Sequence, residues 1–444
     1  MSKETKKKIP GPFIAVVIIA LAWAGYQFWP SSGGPDDTTK TAAVDPPESE
    51  TPVETEPSTP GQPPSADGPD STASESYETE GDQWSTYHGG PALTGAIDVT
   101  LSEEPELLWR FQADSSVYFA PVKDDEHIFF ATNKGGVYAL DFEGNEVWSK
   151  HYFREPYRDG RPRPERFDAP ISCFGDTVLV GAIRGLLYAF DTKTGENKWT
   201  YDAEGPILGT ANFHDPSDAE GDEQVFIIGQ GDGALHFIEL ATGKKIRITE
   251  ANDRCDGSPS IRGDHIVYGS CAAALHVYSA TDGKKIKDVP LDDESQVAGG
   301  AAMAGGSAFV GSHSGRLFNI HVERGETLWT NDDSEDEIFE TPAVNKDYVV
   351  FSSFDGSVYA LDRETGKKIW SFDTEGLPTS PVIAGDKVVV TSDGILFLLG
   401  LTDGEVIWRY EISDEVSSPA IINGMIVVGS EDGIVSAYGS PAGV

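Results

Sequence analysis

From about residue 84 the chain alternates short apolar runs with glycine-rich acidic turns, and this alternation recurs as a unit. The unit reads Pro, an apolar pair, Gly-Asp, an alternating apolar run, Gly-Ser, Asp-Gly, apolar-aromatic-Ala-Leu-Asp, Thr-Gly-Lys and apolar-Trp. Its clearest copy runs from Pro342 through Gly356, Tyr359, Ala360, Leu361, Asp362, Thr365 and Gly366 to Trp370. The small residue that opens the third apolar segment falls at Gly136, Gly185, Gly233, Ala273, Gly315, Gly356, Gly394 and Gly433. Four strand patterns in roughly forty residues is the period of a propeller blade. The last copy stops after its third strand, at Ala437-Tyr438-Gly439, while Leu107-Leu108-Trp109-Arg110-Phe111 has a fourth-strand pattern with no first three before it. Pairing these two pieces closes a ring and leaves no open sheet edge of the kind a solenoid carries. The pattern predicts an all-β fold: an eight-bladed β-propeller of four-stranded blades closed by an N-terminal strand.

What precedes the repeat is of another kind. Lys3, Lys6, Lys7 and Lys8 lead into an uncharged apolar run from Phe13 to Trp29, long enough for a short membrane-spanning helix. Basic residues on its N-terminal side predict a cytoplasmic N-terminus and export of everything beyond Trp29. Ala20-Leu21-Ala22 also fits a signal-peptide cleavage site, but the apolar run continues past it, so an uncleaved single-pass anchor is expected. No cysteine lies there for lipid attachment. Residues 30–83 are rich in Pro, Ser, Thr, Glu and Asp and too poor in aliphatic side chains to offset chain entropy, so a disordered tether is expected. The expected organisation is a basic N-terminus over 1–12, a transmembrane signal-anchor over 13–29, a linker over 30–83 and the propeller over 84–444.

Within the repeat, Asp-Gly and Ser-Gly pairs mark hairpin turns that need positive φ. Trp109, Trp148, Trp199, Trp329, Trp370 and Trp408 share one strand position, where an indole can dock between neighbouring blades. Arg247 and Lys287 replace it in two copies. The pattern Ala-x-Asp-x-x-x-Gly-x-x-x-Trp, as in Ala189, Asp191, Gly195 and Trp199, resembles the tryptophan-docking motif of the quinoprotein-type (PQQ-like) propellers. The chain looks most similar to the members of that group related to the outer-membrane assembly factor BamB. The resemblance implies an exported protein-interaction scaffold that binds no quinone.

Quinoprotein dehydrogenases of the same group stack the quinone against a disulfide of adjacent cysteines, whereas Cys173, Cys255 and Cys271 include no adjacent pair. No cofactor is therefore expected. Cys255 and Cys271 flank one hairpin, and export would permit a disulfide between them. His236 and His276 stand where other copies carry Tyr or Phe, which reads as core substitution. The acidic run Asp332, Asp333, Glu335, Asp336, Glu337 and Glu340 lacks the glycine turn of a calcium loop.

Charge then singles out one segment. The chain carries 73 Asp and Glu against 33 Lys and Arg, a net charge of -40, which opposes nucleic-acid binding. Yet residues 150–168 hold Lys150, Arg154, Arg158, Arg161, Arg163 and Arg166, interleaved with Tyr152, Phe153, Tyr157 and Phe167. A basic, aromatic connection on an acidic propeller is the candidate partner site, with Arg154, Tyr157, Arg158, Arg161, Arg163, Arg166 and Phe167 as its contacts. The competing reading folds these cations over acidic neighbours such as Asp215 and Asp218. The expected function is a monomeric, membrane-anchored interaction scaffold of the cell envelope without catalysis. A quinone-dependent dehydrogenase, or a small-ligand sensor using the propeller funnel, is the alternative.

Overall fold

The computed structural model describes residues 84–441 apart from 215–223, 229–232, 292–294 and 298. Antiparallel sheets follow one another along the chain. Seven of them, blades I to VII, are contiguous four-strand runs: 122–151, 172–202, 212–248, 260–290, 302–331, 343–373 and 382–411. An eighth sheet, blade VIII, is composite, with Glu106–Gln112 pairing antiparallel to Ile434–Gly439.

The expected fold class needs correction in its particulars. Contiguous chain completes seven blades, not eight, and the last sheet exists only by borrowing a strand. Nor are all blades four-stranded: Ala96–Ile97 adds in parallel to Val382–Ala384 and makes blade VII five-stranded. Outside the ring, Phe153–Arg154 pairs with Arg163–Pro164 as a separate two-stranded sheet. Among the described residues no helix is long and apolar enough to cross a membrane, and the span expected over 13–29 and the linker over 30–83 lie outside them.

Neighbouring blades are held by one repeated device. Each fourth strand has a bulge, so that in blade VI Ala360 pairs with Trp370 while Leu361 pairs with Lys368. The extra residue adds twist, and the indole points at the third-to-fourth turn of the next blade. Trp109 Nε1–H donates to Phe142 O at 3.0 Å, Trp148 to Thr192 O at 2.8 Å, and Trp199 to Leu240 O at 2.7 Å. Trp329 reaches Arg363 O at 2.9 Å and Trp370 reaches Leu401 O at 2.8 Å. The turn glycine lies flat under the ring: a Cβ on Gly366, whose φ is +68°, would meet Trp329 at 2.5 Å. Arg247 and Lys287 use the same geometry without an indole, donating to Asp282 O and Glu323 O. Their stems lie over Gly283 and Gly325.

The centre of the ring is filled by the chain itself. Residues 84–97 run round the inner strands and offer them carbonyls in sequence. Trp84 O accepts from Lys123 N, Ser85 O from Cys173 N, and Pro91 O from Ile261 N. Ala92 O, Thr94 O and Gly95 O then accept from Met303, Val344 and Ile383. In blade III the Asn212 side chain takes this part, donating to Pro91 O at 2.7 Å. Side chains lock the segment in place. Buried His88 lies 2.8 Å from Pro381 O and 3.0 Å from Leu93 O. Tyr87 Oη sits 2.6 Å from Ser380 Oγ, which in turn bonds Glu340.

No disulfide joins Cys173, Cys255 or Cys271 in the structure. A disulfide was expected between Cys255 and Cys271; in this structure no bond joins the pair, and Cys271 N donates to Arg254 O at 2.8 Å. Cys255 Sγ turns inward instead, toward Asp253 O at 3.3 Å.

The docking device predicts a graded glycine effect. Gly366→Ala combines a left-handed backbone with a clash on Trp329 and is expected to cost about 2–4 kcal/mol. Gly263→Ala, at φ +55° with open space around it, should cost only about 1 kcal/mol. Denaturant unfolding of the two variants side by side measures the difference.

Candidate functional site

Strands alternate in direction, so fourth-to-first connections and second-to-third turns share one face of the ring. On that face the connection from blade I to blade II rises as a hairpin. Its base is stitched by Tyr152 N to Gly135 O and Glu165 N to Tyr152 O, each 2.9 Å, and its tip by Tyr157 N to Arg161 O at 3.0 Å. Asp159 and Gly160, the latter at φ +79°, make the turn.

Glu165 anchors this hairpin. Its wholly buried carboxylate accepts Arg184 Nη2 at 2.7 Å and Tyr188 Oη at 3.0 Å, with Arg154 Nε at 3.6 Å. Burial alone would raise its pKa; hydrogen bonds from Arg184, the Arg166 amide and Tyr188 outweigh burial and hold it below the ordinary carboxylate range. Burial, and after it the same carboxylate, push Tyr188 up to about 12. Tyr152 packs beside this anchor, 5.4 Å from Tyr188 and 5.0 Å from Phe190.

The seven candidate contacts divide accordingly. Phe167, 2 % exposed, belongs to the core between Tyr152 and Tyr188, and so is corrected from surface contact to packing residue. Arg154 is bound to Pro164 O at 3.0 Å as well as to Glu165, and it serves the hairpin's own structure. Arg166 pairs with Asp168 at 3.1 Å but stays half-exposed. The tip is different: Tyr157 is exposed and lies between two guanidinium groups, Arg161 at 5.5 Å and Arg163 at 5.3 Å from its centroid. Arg161 is also paired with Asp159 at 2.7 Å, and Arg158 is exposed. Phe153, at 58 % exposure, adds an apolar contact that the sequence reading did not select. Its signal was the alternation Tyr152-Phe153-Arg154, which puts adjacent residues on opposite faces. The acidic residues 215–223 lie outside the described residues.

Two other arrangements resemble chemistry. Ser270 Oγ lies 2.8 Å from His276 Nε2, and His276 Nδ1 lies 2.6 Å from Asp288 Oδ1, the order of a serine-hydrolase relay. Burial lowers the His276 pKa despite Asp288; a ring that donates from Nδ1 to the Asp288 carboxylate leaves Nε2 to accept from Ser270. Ser270 is fully buried, however, and its Oγ also accepts Ala272 N at 3.1 Å, so the relay pins a turn rather than meeting a substrate. His236 is likewise buried, 2.8 Å from Tyr201 Oη. Among the described residues no group of His, Cys, Asp and Glu is placed to hold a metal ion.

A ring of blades docked by indoles on glycine turns is a quinoprotein-type, PQQ-like propeller. The family profile described as "Outer membrane protein assembly factor BamB" matches residues 98–289, 144–372 and 354–443, and the chain belongs to that family. It is 25% identical over 310 residues to the BamB of Burkholderia pseudomallei, covering 67% of this chain and 77% of that protein. To the BamB of Shewanella oneidensis it is 26% identical over 229 residues, 48% of this chain and 56% of that one. Among solved structures, BamB from Moraxella catarrhalis superposes with a TM-score of 0.62 at 19% identity, covering 77% of this chain and 99% of that one. Quinohemoprotein alcohol dehydrogenase from Comamonas testosteroni gives 0.63 at 13%, covering 81% and 80%. At these identities the two superpositions establish the fold alone.

Glu165→Gln should loosen the hairpin without unfolding the ring. Tryptic cleavage after Arg166 is expected to rise about tenfold, as local opening becomes easier by about 1–2 kcal/mol. Because the folded pKa of Glu165 is depressed, its contribution is complete above the ordinary value of about 4.3 and is lost as pH falls through the lowered one. Near-ultraviolet circular dichroism of the Tyr152–Tyr188 cluster should report that acid transition in the native protein and lose it in the variant.

Proposed function

We propose that this chain is an exported, membrane-anchored scaffold that holds other envelope proteins together and catalyses no reaction itself. The observation that carries the reading is the hairpin tip, where Tyr157 is presented between Arg161 and Arg163 on an otherwise acidic domain. Membership of a family named for outer membrane assembly supports partners among envelope proteins. Two guanidinium groups pre-stacked on a tyrosine lose little side-chain entropy on meeting a carboxylate-bearing surface, which favours capture. The basic N-terminal segment and the apolar run 13–29 would place the propeller outside the cytoplasm.

Catalysis or sensing through the funnel is the weaker reading. Its axis is occupied by residues 84–97, with His88, Leu93 and Thr94 buried there. Adding PQQ and Ca²⁺ should therefore produce no bound-quinone absorbance.

Reversing charge at Arg158, Arg161 and Arg163 together, each to Glu, is expected to weaken capture of envelope partners in a pull-down by at least about tenfold. Unchanged capture by this variant would sink the assignment of the hairpin as the binding site.

A further inference from the structure

First-to-second and third-to-fourth turns share the face of the ring opposite the hairpin, and on that face two successive blade junctions are filled differently. Between blades V and VI, Arg363 follows the third strand of blade VI and reaches back over the first-to-second turn of blade V. Its Nη2 donates to Ala304 O at 2.9 Å, and a Cβ on Gly305 would meet that guanidinium at 2.6 Å. One junction earlier the register puts Val322 where blade VI has Arg363, because Asn319 pairs with Trp329 as Ala360 pairs with Trp370. Gly263 stands where blade V has Gly305, because Ile261 pairs with Ile266 as Met303 pairs with Ala308. Val322 is too short to reach across, and a Cβ on Gly263 would meet nothing within 4 Å. Lys287, which stands for the docking indole at this junction, gives its Nζ to Glu323 O and adds no ring.

The space so left is a cavity of about 370 Å³, lined by Arg262, Gly263, His265, Met303, Val322 and Glu323. That volume lies at the lower end of the range of small-molecule sites, about 300–1,000 Å³. Met303 and Val322, both buried, supply apolar surface. Arg262 is half-buried and Glu323 exposed, and the two opposite charges line one cavity without pairing with each other. Among the described residues neither side chain bonds to any other group. The arginines at two other junctions, Arg247 and Arg363, are by contrast bound to backbone carbonyls. His265 pairs with Arg262 across the turn, which places the two side chains on the same face of the sheet.

We infer that this cavity binds a zwitterionic peptide with apolar side chains, about the size of a dipeptide. Arg262 takes the carboxylate, to which a planar guanidinium offers two parallel N–H groups, and His265 stands at the same end. Glu323 takes the ammonium, and Met303 and Val322 receive the aliphatic side chains. A ligand with both charges satisfies both rim groups at once. An anion alone would lie beside the like charge of Glu323, and a cation alone beside that of Arg262. The site is on the face turned away from the hairpin, so it operates independently of protein capture there.

Titration calorimetry of the full chain with leucyl-leucine tests this. Saturable one-to-one binding is expected, weakened at least about tenfold when either end of the probe is blocked, as in N-acetyl-leucyl-leucine or leucyl-leucine amide. Arg262→Gln and Glu323→Gln should each weaken leucyl-leucine by a similar factor. Val322→Arg plants the blade VI side chain in the cavity and should abolish binding. Should that variant not fold, the two glutamine variants carry the test. Absence of saturable binding at millimolar leucyl-leucine would overturn the inference. So would N-acetyl-leucyl-leucine binding as tightly as leucyl-leucine, because the site would then recognise an apolar carboxylate and not a zwitterion. Binding that survives every substitution unchanged would overturn it too, because the peptide would then sit elsewhere.

Discussion

The inner strand of each blade is a sheet edge, and in a closed ring those edges face the axis, where most of residues 84–97 are buried. An unpaired buried backbone N–H costs about 1–3 kcal/mol, and the problem recurs at each blade. Here the solution is a segment of the chain itself. Residues 84–97 carry carbonyls to Lys123, Cys173, Ile261, Met303, Val344 and Ile383 in turn, then join blade VII as a parallel strand. The same segment fills the axis, places Tyr87 against the Ser380–Glu340 pair, and leads into the strand that completes blade VIII. Closure of the ring and satisfaction of its inner edge are thus one structural event.

Between blades a second constraint operates. An indole, or the stem of Arg247 or Lys287, must lie flat on a turn while its N–H reaches a turn carbonyl, which leaves no volume for a side chain at the turn glycine. Burying such a ring contributes both apolar area and a directed hydrogen bond. The cationic replacements keep the bond to the turn and give up part of the area, which is why blades III and IV fit the ring with no tryptophan at that position.

Much of this was legible in the residues. The positions of Gly366 and Trp370 recur at fixed distances, and a fixed distance along a strand–turn–strand path is a fixed geometry. The basic segment 150–168 also stood out against the charge of the rest. Its internal division did not. That Phe167 packs inward, that Arg154 is held by Glu165, and that Tyr157 stands between Arg161 and Arg163 all depend on Arg184 and Tyr188 of the next blade. Nearness of Cys255 and Cys271 along a hairpin likewise leaves the direction of each Sγ open, and that of Cys255 lies toward Asp253 O.

The sequence by itself determined the strands, their turns and the docking register, because each follows from local periodicity and from glycine's access to positive φ. It also determined where charge changes sign. Only the tertiary structure decided that residues 84–97 fill the axis, since no local pattern marks a segment whose bonds are spread over blades I to VII. It likewise decided that Ser270, His276 and Asp288 meet in a buried relay closed to substrate. Burial and pairing across strands are properties of the closed ring, and the ring forms only when residues separated by more than three hundred positions, such as Trp109 and Ala437, come together.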